Sequence, residues 1–226
     1  MASFAWYLAG PDLFERFAGV PDNDADSAGM EAWDSFLRSL GAGELPAWRA
    51  AFSTFVQTVQ PLQRPATQPR VFVSHRQIDA AFAEQIAWQA TQAGKDYWLD
   101  LHDATLRVAN QTISPSDPRY ALIIAAIIEI ALLNCTHVIA THTPNSLGSK
   151  WIPYELARAK GRQVISNQAA GWFHQSIVDP ATEGEYVVLA RICRSRQHVD
   201  AWLRTPPSHS GTRQYLGTPN PPPFVF

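Results

Sequence analysis

Arg70-Val71-Phe72-Val73-Ser74-His75-Arg76-Gln77-Ile78-Asp79 is the stretch on which the fold turns. Its short apolar run, bounded by polar residues, reads as a buried strand from Arg70 to Ser74. Behind it a helix is expected from Asp79 to Ala93, burying Phe82, Ile86 and Ala90 and stopping at Gly94, which accepts the left-handed backbone without a Cβ penalty. Further downstream, short apolar runs keep alternating with helical ones, the pattern of βαβ units and a mostly parallel sheet. A second strand is expected at Tyr97 to Asp100, then a long polar loop from Leu101 to Asp117 and an apolar helix from about Arg119 to Leu133. Strand three follows at His137 to Thr141, then a loop ending at Ser149 and Lys150 and a helix to about Lys160. Strand four is expected at Gln163 to Ser166, strand five around Tyr186 to Leu189, and a last helix near Gln197 to Leu203.

Upstream, apolar residues recur at helical spacing in three groups: Leu13, Phe14 and Phe17; Trp33, Phe36, Leu37 and Leu40; Trp48, Phe52, Phe55 and Val56. Pro61, Pro65 and Pro69 then favour an extended linker. The expected organisation is a helical segment and linker over 1–67, an α/β domain over 68–204 and a proline-rich tail over 205–226.

Hydrophobic residues make up 46% and charged residues 17% of the 226, with a formal net charge of -2. That balance suits a folded chain with one principal core, and it excludes the basic footprint that tracks nucleic acid phosphates. Cys135 and Cys193 sit in apolar surroundings and read as small core residues rather than a disulfide framework, which fits a reducing cytoplasm. Met1 to Gly10 lacks the features of a signal peptide. Tyr120 to Leu133 is too short for a bilayer and contains Glu129, so no membrane span is expected.

In open parallel sheets, ligands bind outside the carboxyl ends of the strands where strand order reverses, because the loops diverge there and leave a crevice. The loops after strands one, two and three hold Ser74, His75, Arg76 and Asp79; Asp100, His102 and Asp103; and Thr143 to Trp151. Ser149-Lys150-Trp151-Ile152-Pro153-Tyr154-Glu155 comes next. Several bland readings stand beside the functional ones. Glu155 in a first helical turn is favoured by the helix dipole whatever its job. Trp151 also suits a core or interface anchor, and Arg76 a solvated loop. Asp79 reads as a helix N-cap rather than a ribose ligand, and Asp100 and Asp103 as turn caps rather than ribose ligands. Ser74, His75 and Asp79 lie too close in one segment for a hydrolase triad. Gly41-Ala42-Gly43 is no dinucleotide fingerprint, and His137 and His142 lack a matching zinc ligand set, so no metal site is expected.

Val71-Phe72-Val73-Ser74-His75 with Asp79 resembles the first strand and loop of TIR (Toll/interleukin-1 receptor) domains. Val138 to Thr141, a loop, then Ser149-x-Trp151-x-x-x-Glu155 with Leu156 and Ala159 is similar to the third strand and the Trp-x-x-x-Glu element of catalytic members. The elements match in order across about 135 residues. This resemblance implies a flavodoxin-like fold with a central five-stranded parallel sheet behind the small helical segment. It also implies cleavage of NAD⁺, a substrate rather than a bound cofactor, between nicotinamide and ribose. Glu155 takes the place of the essential glutamate, while Trp151, Ser74, His75, Arg76 and Asp100 line the substrate. Self-association through the TIR domain is implied too, with the bacterial anti-phage enzymes as the nearest type and the N-terminal helices as a candidate partner surface. The loop Leu101 to Asp117 departs from the family by lacking its Pro-Gly turn. Two other readings remain open: a scaffold signalling only through TIR–TIR contacts, and an N-glycosidase acting on another nucleotide.

Overall fold

The computed structural model describes residues 31, 35, 36, 38–41, 45–59, 69–133, 135–160 and 168–205. The expected helix at Leu13 to Phe17, the linker from 61 to 68 and the tail beyond Thr205 lie outside the described residues. Two compact units are formed, one from Met1–Gln68 and Asp100–Asn134, the other from Pro69–Leu99 and Cys135–Phe226.

In the first unit, helix α1 (Leu45–Val59) carries Trp48 and Phe55 inward, where Phe55 stacks on Phe36 at 5.5 Å. After the second strand, described below, the segment from Leu101 to Asp117 differs from the expected loop. It contains helix α3 (Ala104–Thr112), begun by Asp103, whose carboxylate accepts from the Leu106 N–H at 2.8 Å. Leu106, Ala109 and Ile113 are buried at spacings of three and four residues. That apolar stripe is narrow and is interrupted by Arg107, Asn110, Gln111 and Thr112, so composition hides it. Helix α4 (Pro118–Leu133) packs on α1 and α3 and buries Ile123, Ile127 and Ile130 along with the carboxyl-bearing Glu129. Among the described residues no helix is long and apolar enough to cross a membrane.

The second unit is built on five parallel strands: β1 (Arg70–Ser74), β2 (Asp96–Trp98), β3 (His137–His142), β4 (Ala169–Phe173) and β5 (Arg191–Cys193), in the order β2-β1-β3-β4-β5. β3 is buried along its whole length and β1 in all but its first residue, as befits central strands covered on both faces. Helix α2 (Ala80–Gln92) follows β1 and packs on β1 and β2; α5 (Trp151–Lys160) follows β3 and packs on β3 and β4. The first connection steps one way along the sheet and the second the other, so right-handed crossovers put α2 and α5 on opposite faces. Helix α6 (Arg196–Leu203) returns to α2, capped by Ser195, and seats the fully buried Trp202. Gly94, at a φ of 71°, ends the turn after α2 as expected.

Three strands differ from expectation, the second being Asp96–Trp98 rather than Tyr97 to Asp100, because the chain has already entered the 3₁₀ turn Asp100–His102. The fourth strand of the sheet is Ala169–Phe173, while 163–166 lies outside the described residues. Ala169-Ala170-Gly171 lacks the β-branched residues that mark a strand, and tertiary packing decides instead. A Cβ on Gly171 would lie 2.7 Å from the Phe173 ring and 3.2 Å from that of His142. Tyr186 to Leu189 belongs to the 3₁₀ turn Glu185–Leu189, where Val187 packs with Phe173 and Ile177; the strand is Arg191–Cys193. Cys193 is fully buried and burial pushes its thiol up to about 12, so it behaves as a small apolar residue; Cys135 is half-buried, and neither cysteine is in a disulfide.

Forcing a methyl group under the stacked rings makes Gly171→Ala destabilising by about 1–3 kcal/mol, because neither ring has room to withdraw. Chemical denaturation checks it, and an unchanged midpoint would mean that the two rings move apart freely.

His137, at the start of β3, sits edge-on to Trp202 with its Nδ1 2.7 Å from the Thr136 hydroxyl. Burial first, and the nearby Lys95 ammonium second, lower its pKa to about 4. The unfolded imidazole takes up a proton near 6.5 and the folded one only near 4, so acid favours the unfolded chain. Stability contributed above about pH 6.5 is therefore lost as pH falls toward 4, by about 3 kcal/mol in all. Urea unfolding at pH 7 and pH 4.5 should show a larger acid loss for the wild type than for His137→Gln. Equal losses would place the titration elsewhere.

Candidate active site at the strand-order reversal

The strand order reverses between β1 and β3, whose parallel register pairs Ser74 with Ala140. Such a reversal is where open parallel sheets bind ligands, outside the carboxyl ends of their strands. Ser74 is the last residue of β1 and is buried; from this position its hydroxyl donates a hydrogen bond to the Glu155 carboxylate Oε2. Glu155 is likewise buried, at 6% exposure. It is the fifth residue of α5 rather than part of its first turn, because the helix starts at Trp151 with Ser149 accepting from the Ile152 N–H at 3.3 Å. Pro153 sits in the first turn, where its missing N–H is harmless. Trp151 opens the helix half-exposed, with Tyr154 edge-on to it at 5.8 Å.

The loop after β1 is tied to the loop after β3 by Asp79. This residue occupies the N-cap position of α2 but makes no side-chain cap, contrary to the capping role expected for it. Its buried carboxylate accepts instead from the Thr143 hydroxyl at 2.8 Å and the Asn145 amide at 2.9 Å. A bond to partners 64 and 66 residues away outcompetes the local one. The neighbouring Ser146 hydroxyl lies 2.6 Å from both the Thr143 carbonyl and Glu183 Oε2, and Thr143 N–H donates back to it at 3.0 Å. Behind Ser146, His142 stacks flat on Phe173 at 4.5 Å with its Nδ1 3.5 Å from Glu183. Burial lowers the His142 pKa and the Glu183 carboxylate opposes that shift.

Ser74, Trp151 and Glu155 are thus gathered at one end of the second unit, with Ser74 and Glu155 in direct contact. His75 follows Ser74 half-buried and Arg76 is exposed. Asp100 falls in the first unit, in the 3₁₀ turn Asp100–His102, where its Oδ1 accepts from the Leu101 N–H at 2.7 Å. Sequence reasoning named the loop Thr143 to Trp151 without singling out Thr143, Asn145 or Ser146, and it missed Glu183. Thr143-Pro144-Asn145-Ser146 announces only a turn, and nothing local in it points to Asp79. Among the described residues no group of three or more His, Cys, Asp or Glu is placed to hold a metal ion.

The family model described as TIR domain matches residues 71–208, more than half of the chain. The chain belongs to the TIR domain family. No curated protein and no solved structure matches it. The TIR match begins at the second residue of β1 and runs past α6, so it takes in every residue of the Ser74–Glu155 site. The five-stranded parallel sheet has the flavodoxin-like strand order of a TIR domain.

Proposed function

We propose that this TIR domain cleaves NAD⁺ at the bond between nicotinamide and ribose, with Glu155 as the catalytic carboxylate. The observation that carries the reading is the buried Glu155 carboxylate, held by the Ser74 hydroxyl at the strand-order reversal. Burying a carboxylate is costly unless a partner is provided, and the fold supplies one from a strand 81 residues away in sequence. The chemistry asks for little else. Nicotinamide is attached as a cationic pyridinium and departs neutral with the bonding electron pair, so no general acid is required, unlike the two-carboxylate glycosidases. The positive charge that grows at the anomeric carbon is what a fixed carboxylate stabilises. Water adding there and losing a proton yields ADP-ribose; an adenine nitrogen adding there yields a cyclic isomer. Trp151, half-exposed at the mouth of the same helix, offers a flat apolar face to ribose or nicotinamide.

The test is nicotinamide release from NAD⁺ by the purified protein over a range of protein concentrations. Self-association is part of the proposal, because a site completed by a neighbour stays idle until chains meet. Release per mole of protein then rises with concentration. No release at any concentration favours the second reading, a TIR scaffold. Ile78 at 75% and Leu147 at 65% exposure, with Trp151 and Tyr154, are apolar side chains on the loops and helix around the site and suit contact with another copy. The anti-phage setting, and cleavage of another nucleotide in place of NAD⁺, belong to substrate and cellular assays on the same protein.

A further inference from the structure

The face of the sheet opposite α5 holds a cavity of about 250 Å³. Side chains alternate across a strand, and the register pairs Ser74 with Ala140 and His142 with Phe173, so these four share the α5 face. Thr141 and Trp172, paired with each other, take the other face, where Trp172 meets Phe82 of α2 at 5.1 Å. His174 closes the aromatic wall, 5.6 Å from Phe82 and 6.3 Å from Trp172. Gln89, about two turns beyond Phe82 along α2, also lines the cavity, and its amide Oε1 is shielded from solvent without a hydrogen-bond partner. Buried carbonyl oxygens in that condition are uncommon, and a ligand N–H is the group that satisfies one.

The charge around the cavity narrows the ligand further. Among the described residues, Arg194 and Arg196 line it and no Asp or Glu does. Arg194 is engaged by the carbonyls of Ile177 and Val178, while Arg196 lies over the exposed Trp88 ring at 4.8 Å. A cationic ligand is disfavoured there and an anionic one favoured. The volume is below the roughly 300–1,000 Å³ of a site enclosing a drug-sized molecule, so it accommodates a ring system and leaves a sugar and phosphate outside.

We propose that this cavity binds the base of a nucleotide: a planar heteroaromatic ring that stacks against Phe82, Trp172 and His174 and donates an N–H to Gln89, with its phosphate attracted by Arg196. This site is separate from the Glu155 carboxylate and does not depend on NAD⁺ cleavage. Aromatic stacking on a base is tolerant of base identity, so the shared chemistry is the ring, its N–H and its negative charge.

Adenosine monophosphate is the probe, followed through the tryptophan indole N–H signals in ¹⁵N-labelled full-length protein. The Trp172 and Trp151 signals are assigned with Trp172→Phe and Trp151→Phe. The expected result is a saturable shift of the Trp172 signal, absent with ribose 5-phosphate, which lacks the base. Gln89→Met keeps the volume and removes the acceptor, and weakens binding about tenfold. Phe82→Leu removes one stacking surface and weakens it independently, should Gln89→Met fail to fold. A shift confined to Trp151, no saturable shift at Trp172, an equal response to ribose 5-phosphate, or unchanged affinity in both variants would each overturn the proposal.

Discussion

Glu155→Gln lowers nicotinamide release from NAD⁺ by about 100- to 1,000-fold, the range seen when one preorganised electrostatic group is removed from a transition state. Gln keeps the shape and can still accept from Ser74, so the hydrogen bond at the end of β1 survives while the negative charge does not. The loss therefore appears mainly in kcat, since a charge that acts on the developing cation contributes little to binding the ground state. Circular dichroism and the unfolding midpoint should stay close to wild type, which separates a chemical defect from a folding one. An active Glu155→Gln protein would remove Glu155 from the reaction and leave the carboxylate as a structural anchor for α5.

Asp79→Ala destabilises the protein by about 3 kcal/mol. Hydrogen bonds to a charged group contribute about 1.5–3 kcal/mol each, and truncating a shared acceptor strands its donors. Here the donors are the Thr143 hydroxyl and the Asn145 amide, and they differ in setting: Thr143 is buried, whereas Asn145 is exposed and regains water. Most of the cost therefore comes through Thr143. Asn145→Ala is accordingly the milder change, about 1 kcal/mol, and Thr143→Val combined with Asp79→Ala adds little to Asp79→Ala alone because both break the same bond. Urea unfolding of Asp79→Ala, Asn145→Ala, Thr143→Val and the Asp79→Ala/Thr143→Val double variant measures this. Simple additivity of Asp79→Ala and Thr143→Val would show that the two side chains act independently. The same clamp holds together the loops after β1 and β3, so Asp79→Ala also impairs any activity that resides at Glu155.

The strands that could be read from the sequence are those whose residues carry their own signal. Arg70-Val71-Phe72-Val73-Ser74 matches β1 residue for residue, and His137 to Thr141 falls one residue short of β3, because central parallel strands buried on both faces need unbroken apolar runs. The TIR family was legible from motif order, and Glu155 was singled out by the resemblance of Ser149-x-Trp151-x-x-x-Glu155 to the family's element, since a glutamate near a helix start carries no such signal of its own. β4 was not legible: it lacks strand-forming residues, and Gly171 holds its place because a residue without a Cβ fits beneath the His142 and Phe173 rings, a packing fact invisible along the chain. α3 was hidden in polar composition, and Tyr186 to Leu189 has strand-forming residues yet turns as a 3₁₀ segment to bury Val187 beside Phe173 and Ile177.

The sequence by itself determined the fold class and the central strands, which rest on local periodicity, and its resemblance to TIR motifs picked out the candidate carboxylate. Only the tertiary structure decided what those groups touch. It turned Ser74 onto Glu155 and drew Asp79 away from its helix to Thr143 and Asn145. It also set Phe82 against Trp172 around a cavity. Each of these contacts joins residues more than sixty positions apart, and such pairing depends on how strands are ordered in the sheet, information that no window of neighbouring residues contains.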